Sequence, residues 1–157
     1  MAVRTKRSIL AVCGALLLLA ACSKSSTGSG PAPLVEKSYA IAHGDEICKE
    51  VLADANNLVA QFKSTHPNPT VADTKDFFVN TLFAHIDVGV GDLHRMGEPT
   101  KDRAPFDNAI LALDKDLSAL KQSVSADALK VLNNKIMLFA TSSKLFTDYG
   151  FKICGQN

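Results

Sequence analysis

The apolar residues of this chain recur at helical spacing, and this periodicity is the feature that most constrains its fold. The clearest stretch steps by four, three, four, three and four positions: Phe106, Ile110, Leu113, Leu117, Leu120 and Val124. This spacing places all six side chains on one face of an α-helix, and Pro105 fits the first turn of that helix. No stretch shows the alternation typical of a strand, so the sequence predicts an all-α domain.

Two stretches before this one predict the first and second helices. The first helix is expected to start at Ser38, or at Asp45 if Gly44 breaks it, and to end at Lys63, because two prolines follow closely. The second helix is expected to open with Asp73 as its N-cap and to stop before Gly97.

The fourth helix is expected from about Ala126 to Tyr149. Ser125 is its predicted N-cap, and Gly150 is expected to take a left-handed conformation after its end. Four helices of this length with short connections predict an antiparallel up-down-up-down bundle over residues 36–157. In such a bundle the two chain ends lie at the same end.

The first 21 residues have the regions of a secretion signal. Three basic residues precede an apolar run from Ile9 to Leu19, which at about 11 residues is too short to cross a bilayer that needs roughly 20. Leu19-Ala20-Ala21-Cys22 then resembles the lipobox of bacterial lipoproteins. The resemblance implies cleavage after residue 21, diacylation of Cys22 and a lipid anchor on the extracytoplasmic face of the cell membrane. An ordinary secretory signal beside a chance cysteine is the alternative.

Residues 22–35 predict a flexible tether, because Ser23 to Pro33 contains only small residues, prolines and one lysine. The first 21 residues carry three of the 17 Lys and Arg residues and none of the 16 Asp and Glu residues, so the remainder has a net charge of −2. A domain without a basic surplus is not expected to bind nucleic acid.

The four cysteines reduce to one pair. Cys13 leaves with the signal and Cys22 takes the lipid, so Cys48 and Cys154 remain. In an exported protein such a pair most simply forms a disulfide, and the predicted bundle topology brings the two cysteines to the same end. A metal pair and a reactive thiol are the alternatives. The bridge would close a loop of about 106 residues, worth roughly 4.7 kcal/mol in the chain-entropy model.

Both ends of the mature chain carry a family resemblance. After the lipobox and tether, Ile47-Cys48 and the closing Tyr149-Gly150-Phe151-Lys152-Ile153-Cys154-Gly155 resemble the small helical-bundle lipoproteins and secreted proteins of actinobacteria. The resemblance covers the whole mature chain, and its two ends are the specific parts. It implies a helical bundle stapled by one disulfide, and no established biochemical activity.

Catalytic and metal-binding motifs are not found in the sequence. The histidines are His43, His66, His85 and His94. None lies in an H-E-x-x-H motif or a repeated Glu-x-x-His pair, and there is no Gly-x-Ser-x-Gly. The sequence therefore predicts neither an enzyme nor a metal site or other cofactor. A cluster of His43 with a histidine and an aspartate of the second helix is the alternative.

Two binding functions remain. We expect an interaction or scaffold module for an envelope protein, binding through the loops around residues 65–72 and 122–125 or through an exposed helix groove. The alternative is a small apolar ligand in a pocket inside the bundle, opened by Gly89 and Gly91. The phenylalanines that could line this pocket are Phe77, Phe78, Phe83, Phe106 and Phe139. Ordinary core packing and close helix contact explain the same residues without a ligand.

Overall fold

The structure, a computed structural model, describes residues 33–133 and 139–156, which are mostly helical as the periodicity predicts. The helices are α1 (Lys37–Thr65), α2 (Val71–Phe77), α3 (Phe83–Arg95), α4 (Arg103–Asn133) and α5 (Ala140–Tyr149). A π-helical segment, Phe78–Leu82, joins α2 to α3 without a gap, so the second predicted helix is continuous. None of the described helices is long and apolar enough to span a membrane. The predicted signal, Cys22 and most of the predicted tether lie outside the described residues.

Two short strands, β1 (Leu34–Val35) and β2 (Glu98–Pro99), pair in parallel register. The amide of Glu98 donates to the carbonyl of Pro33 at 2.8 Å. Gly97 precedes β2 with a φ of +112°, and a Cβ there would lie 2.7 Å from that same carbonyl oxygen. The sequence predicted no strand and counted Leu34 and Val35 in the tether, because a two-residue strand has too few positions to show a period.

α1 begins at Lys37 and runs without a break through Gly44, which the sequence had suggested as a break. Gly44 is buried, and a Cβ at this position would lie 2.5 Å from the ring of Phe151. The missing side chain therefore makes room for the C-terminal residues against α1.

The boundary between the third and fourth predicted helices differs from the prediction. α4 continues to Asn133 across a kink at Asp127, where φ is −154° and ψ is 87°. The amide of Lys130 donates to the Asp127 carboxylate at 3.0 Å, so Asp127, and not Ser125, caps the helical turns after the kink. Residues 134–138 are outside the described part of the chain.

The end of α5 agrees with the prediction. Gly150 has a φ of +121°, a conformation that a residue with a side chain adopts only under strain. The amide of Phe151 donates to the carbonyl of Phe146 at 2.9 Å, which closes the helix with a Schellman-type bond.

The core has two clusters of buried residues, and α4 contributes to both. We call the first the Phe62 cluster; its main members are Phe62, Phe77, Phe78, Leu82, Phe83, Leu117, Leu120, Val124, Val131 and Leu132. We call the second the Phe151 cluster; its main members are Ala40, Leu93, Met96, Phe106, Ile110, Phe146, Tyr149, Phe151 and Cys154. The apolar face predicted for the third helix is thus confirmed as core.

One disulfide joins Cys48 to Cys154, as predicted, with their Cα atoms 5.2 Å apart. It connects α1 to the residues that follow α5. Because Cys154 belongs to the Phe151 cluster, the bridge ties two elements that already share core packing.

The two glycines of α3 lie in different surroundings. A Cβ at Gly89 would overlap Cγ2 of Val51 on α1, so Gly89 permits the close helix contact that the sequence favoured. A Cβ at Gly91 would have the flexible guanidinium of Arg95 as its nearest neighbour, at 3.1 Å. Only Gly89 is therefore required by packing.

We expect Gly89→Ala to lower the free energy of unfolding by about 1–3 kcal/mol, because the added methyl forces α1 and α3 apart. Gly91→Ala is the matched control on the same helix. It should raise the free energy of unfolding by up to about 1 kcal/mol, since alanine is the better helix former. Urea unfolding followed by circular dichroism measures both changes, and equal effects of the two substitutions would contradict the assignment.

Candidate interaction site

A cleft of about 390 Å³ opens where α1 ends and α2 begins. The residues that line it are Phe62, His66, Ala72, Asp73, Asp76, Phe77 and Thr81. Pro67 and Pro69 lie in the connection between the helices, where proline restricts the preceding residue to extended backbone. The cleft thus lies at one of the two loops that the sequence suggested for partner binding.

Stacked rings form the floor of this cleft. The ring of Phe62 lies 4.3 Å from that of Phe77 and 4.6 Å from that of His66, close to parallel in both cases. Nδ1 of His66 lies 2.9 Å from the hydroxyl oxygen of Thr65, which holds the imidazole over Phe62. Both phenylalanines are buried, so the floor is a fixed part of the Phe62 cluster.

A capping box forms one side of the cleft. Thr70 is the N-cap of α2, and its hydroxyl oxygen accepts from the amide of Asp73 at 3.2 Å. The Asp73 carboxylate in turn accepts from the amide of Thr70 at 3.0 Å and from its hydroxyl at 2.7 Å. Asp73 is therefore the third residue of α2. The prediction that Asp73 is the N-cap is wrong, because Thr70 takes that position. The hydrogen bonds from Thr70 lower the pKa of Asp73.

A second carboxylate, that of Asp76, follows Asp73 by three positions and accepts from the side-chain amide of Asn80 at 2.7 Å. Within residues 33–133 and 139–156, neither Asp73 nor Asp76 forms an ion pair with Lys or Arg. The cleft thus places an exposed imidazole beside two carboxylates that no described Lys or Arg pairs with, and such carboxylates can accept charge-assisted hydrogen bonds from a cationic side chain.

A second cleft, of about 340 Å³, lies beside the start of α1. Here Nζ of Lys37 is 4.3 Å from the ring centre of Tyr149 and 2.9 Å from the carboxylate of Asp102. Burial and the nearby charge of Asp102 raise the pKa of Tyr149, so its phenol is protonated at neutral pH. Lys37 and Asp102 thus pair with each other, and Asp148, which also lines the cleft, pairs with Lys144. Because its charged groups already have partners, this cleft is the weaker candidate.

The residues predicted for an internal pocket are divided between the two core clusters. Phe78 and Phe83 belong to the Phe62 cluster, with ring centres 5.6 Å apart, and Phe139 packs against the same cluster. Phe106 belongs to the Phe151 cluster. Phe77, the fifth candidate, lines the first cleft, whereas these four phenylalanines, Gly89 and Gly91 line neither cleft.

The other three histidines lie in separate surroundings. Nε2 of His94 lies 3.1 Å from a carboxylate oxygen of Asp114, and the ring of His43 stacks on Tyr39. Nε2 of His85 is buried 3.8 Å from the Asp54 carboxylate and has no hydrogen-bond partner among the described residues. In the part of the chain that the structure describes, no three His, Cys, Asp or Glu residues group closely enough to hold a metal ion.

Sequence reasoning found the loop of the first cleft and, among the side chains that line it, named only Phe77 as a pocket residue. The spacing of Thr70 and Asp73 is the signature of a capping box and could have identified the helix start. The stacking of Phe62 on Phe77 has no such signal, because it depends on how α1 meets α2. Comparison with protein-family models, curated proteins and solved structures finds no match.

We expect Thr70→Ala to raise the pKa of Asp73 toward the ordinary value of 3.8, because the hydroxyl donor is lost. In the wild type, the ionised Asp73 carboxylate stabilises the fold at pH values above its ordinary pKa. This stabilisation is lost as the pH falls through the lowered pKa that Asp73 has in the folded protein. An NMR titration that follows the side-chain carboxyl carbon of Asp73 measures its pKa in the wild type and in the variants. Thr81→Ala, in the same cleft without a bond to Asp73, should leave the pKa in place; an unchanged pKa in Thr70→Ala would contradict the prediction.

Proposed function

We propose that this chain is a bacterial lipoprotein, anchored through a diacylated Cys22 to the extracytoplasmic face of the cell membrane, whose helical domain binds an envelope protein. The proposal assigns no catalysis and no cofactor. The lipobox-like Leu19-Ala20-Ala21-Cys22 supports the anchor. The resemblance of both chain ends to small actinobacterial helical-bundle lipoproteins and secreted proteins supports the family.

The proposal includes an up-down-up-down order of the helices. Residue numbers that rise along one helix fall along its neighbour, which is what antiparallel packing requires. The pairs are Val51–Gly89 and Asp54–His85 for α1 and α3, Asp87–Lys121 and His94–Asp114 for α3 and α4, and Phe106–Tyr149 and Asp116–Ser142 for α4 and α5. These pairs support the topology predicted from the sequence.

The position of the first cleft on α1 supports a partner away from the membrane. The chain reaches the helical domain through β1, which ends at Val35, two positions before Lys37. At about 1.5 Å per residue, the stretch of α1 from Lys37 to Phe62 is roughly 37 Å long. A tether at the Lys37 end therefore leaves the cleft at the outer end of the domain.

The observation that carries the proposal is the composition of this cleft. His66 presents an exposed imidazole over the buried ring of Phe62, and Asp73 and Asp76 present negative charge that no described Lys or Arg neutralises. A Lys or Arg side chain of a partner would gain a charge-assisted hydrogen bond to these carboxylates, and an Arg would also stack on the imidazole. We therefore propose a partner that inserts a basic side chain into the cleft.

The anchor is tested by labelling growing cells with an alkyne analogue of palmitate. The wild-type protein should take the label and sediment with membranes, because two acyl chains bind a bilayer stably at about 0.8 kcal/mol per methylene. Cys22→Ala should lose both properties, while Cys13→Ala should keep them. Labelling of Cys22→Ala at the wild-type level would refute the anchor.

The partner is tested with a photoreactive residue placed at Thr81 in the first cleft. In intact cells it should give a discrete protein adduct, and the same residue at Asn108 in the second cleft should not. Asp76→Asn should reduce the Thr81 adduct several-fold by removing charge, whereas Asp148→Asn, a matched change at the second cleft, should not. Identical adducts from both positions, or none from Thr81, would contradict the proposal.

A further inference from the structure

The residues that follow α5, Gly150 to Gln156, form a C-terminal tail that lies against α1. Phe151 packs over Gly44, and Cys154 is bonded to Cys48 one turn further along the same helix. Asp45 lies between these two contacts in the sequence of α1. The tail therefore meets α1 through an aromatic ring, a carboxylate and a disulfide in succession.

The Asp45 carboxylate accepts hydrogen bonds from three consecutive amides of the tail. The amide of Lys152 donates at 2.9 Å to Oδ2 and at 3.1 Å to Oδ1. The amide of Ile153 donates to Oδ1 at 2.7 Å, and that of Cys154 donates to Oδ1 at 3.1 Å. Charge-assisted bonds of this kind are the stronger class, and these link positions more than a hundred residues apart.

Phe151 provides a second attachment that does not involve sulfur. Its ring is 3 % exposed and makes an edge contact with Phe146, with ring centres 5.0 Å apart. The positive φ of Gly150 turns the chain from the end of α5 toward this position. Apolar burial and hydrogen bonding thus position the tail by interactions that are also open to the reduced chain.

We infer that Asp45 positions the tail on α1 before Cys154 is oxidised, so that the disulfide locks a contact which the reduced chain already makes. In an open chain, closing a loop of this length costs conformational entropy, so the two thiols meet rarely. With the amides of residues 152–154 held by Asp45, Cys48 is the cysteine within reach. Asp45 is thus a positioning residue for disulfide pairing.

The oxidation itself is ordinary thiol–disulfide exchange. Two thiols lose two protons and two electrons as the Cys48–Cys154 bond forms, and an external disulfide such as oxidised glutathione accepts them as it becomes two thiols. Asp45 takes no part in these bonds. Its effect is on how often the two sulfurs meet.

The first test measures oxidation directly. The complete chain is equilibrated with mixtures of reduced and oxidised glutathione, alkylated, and analysed by mass spectrometry for the Cys48–Cys154 bridge. Asp45→Ala should lower the effective concentration of the two thiols by about tenfold or more, the loss expected for a charge-assisted hydrogen-bond set. Glu46→Gln, the neighbouring acid whose only described ion pair is with Lys49, is the matched control and should match the wild type. An unchanged equilibrium in Asp45→Ala would overturn the inference.

The second test needs no change at Asp45 and remains valid if Asp45→Ala fails to fold. In a Cys48→Ser, Cys154→Ser variant, amide hydrogen exchange is measured at residues 152–154. Protection at these amides, above that of an unstructured peptide, is expected because the carboxylate still holds them. Exchange at the unstructured rate in an otherwise folded variant would show that the disulfide creates the contact, and would overturn the inference.

Discussion

The attachment of the C-terminal tail to α1 is the interaction on which the rest of the structure depends. It joins the first helix to the end of the described chain by a disulfide, by hydrogen bonds from three backbone amides to Asp45, and by the ring of Phe151 over Gly44. The three contacts are of different physical kinds, and all of them need the tail to lie in the same position along α1. Because Phe151 also packs with α4 and α5 residues, fixing the tail fixes the Phe151 cluster.

The two core clusters lie beside different features of the domain. The Phe151 cluster lies with the disulfide and the paired strands, where the chain enters and its last described residues are held. The Phe62 cluster lies with the connection between α1 and α2, where the buried stack of Phe62 and Phe77 supports an open cleft. α4 spans both clusters, and the close approach of α3 to α1 at Gly89 keeps the two ends in a single packed body.

The first cleft gains its character from groups that also serve the fold. Asp73 closes the capping box of α2, and Phe62 belongs to the core, so both residues also stabilise the fold. In our proposal, a partner would bind the negative charge of Asp73 and Asp76 beside the exposed imidazole of His66. The second cleft lacks this opportunity, because Lys37 is already occupied by Asp102 and by the ring of Tyr149. This contrast favours the first cleft as the binding surface in our proposal.

Local patterns in the sequence determined the helical class, the buried face of α4, the turn at Gly150 and the pairing of Cys48 with Cys154, because each follows from spacing, a backbone preference or elimination. Two helix caps were predicted wrongly: Asp73 was predicted where Thr70 is the cap, and Ser125 where Asp127 is the cap. In both places several residues able to cap a helix lie within a few positions of one another. Only the tertiary structure decided the pairing of β1 with β2 and the close contact of Gly89 with Val51. It also decided the hydrogen bonds of the tail to Asp45 and the stacking of Phe62 on Phe77 in the first cleft. These features join residues far apart in the chain, and their energies arise from contacts that no local period encodes.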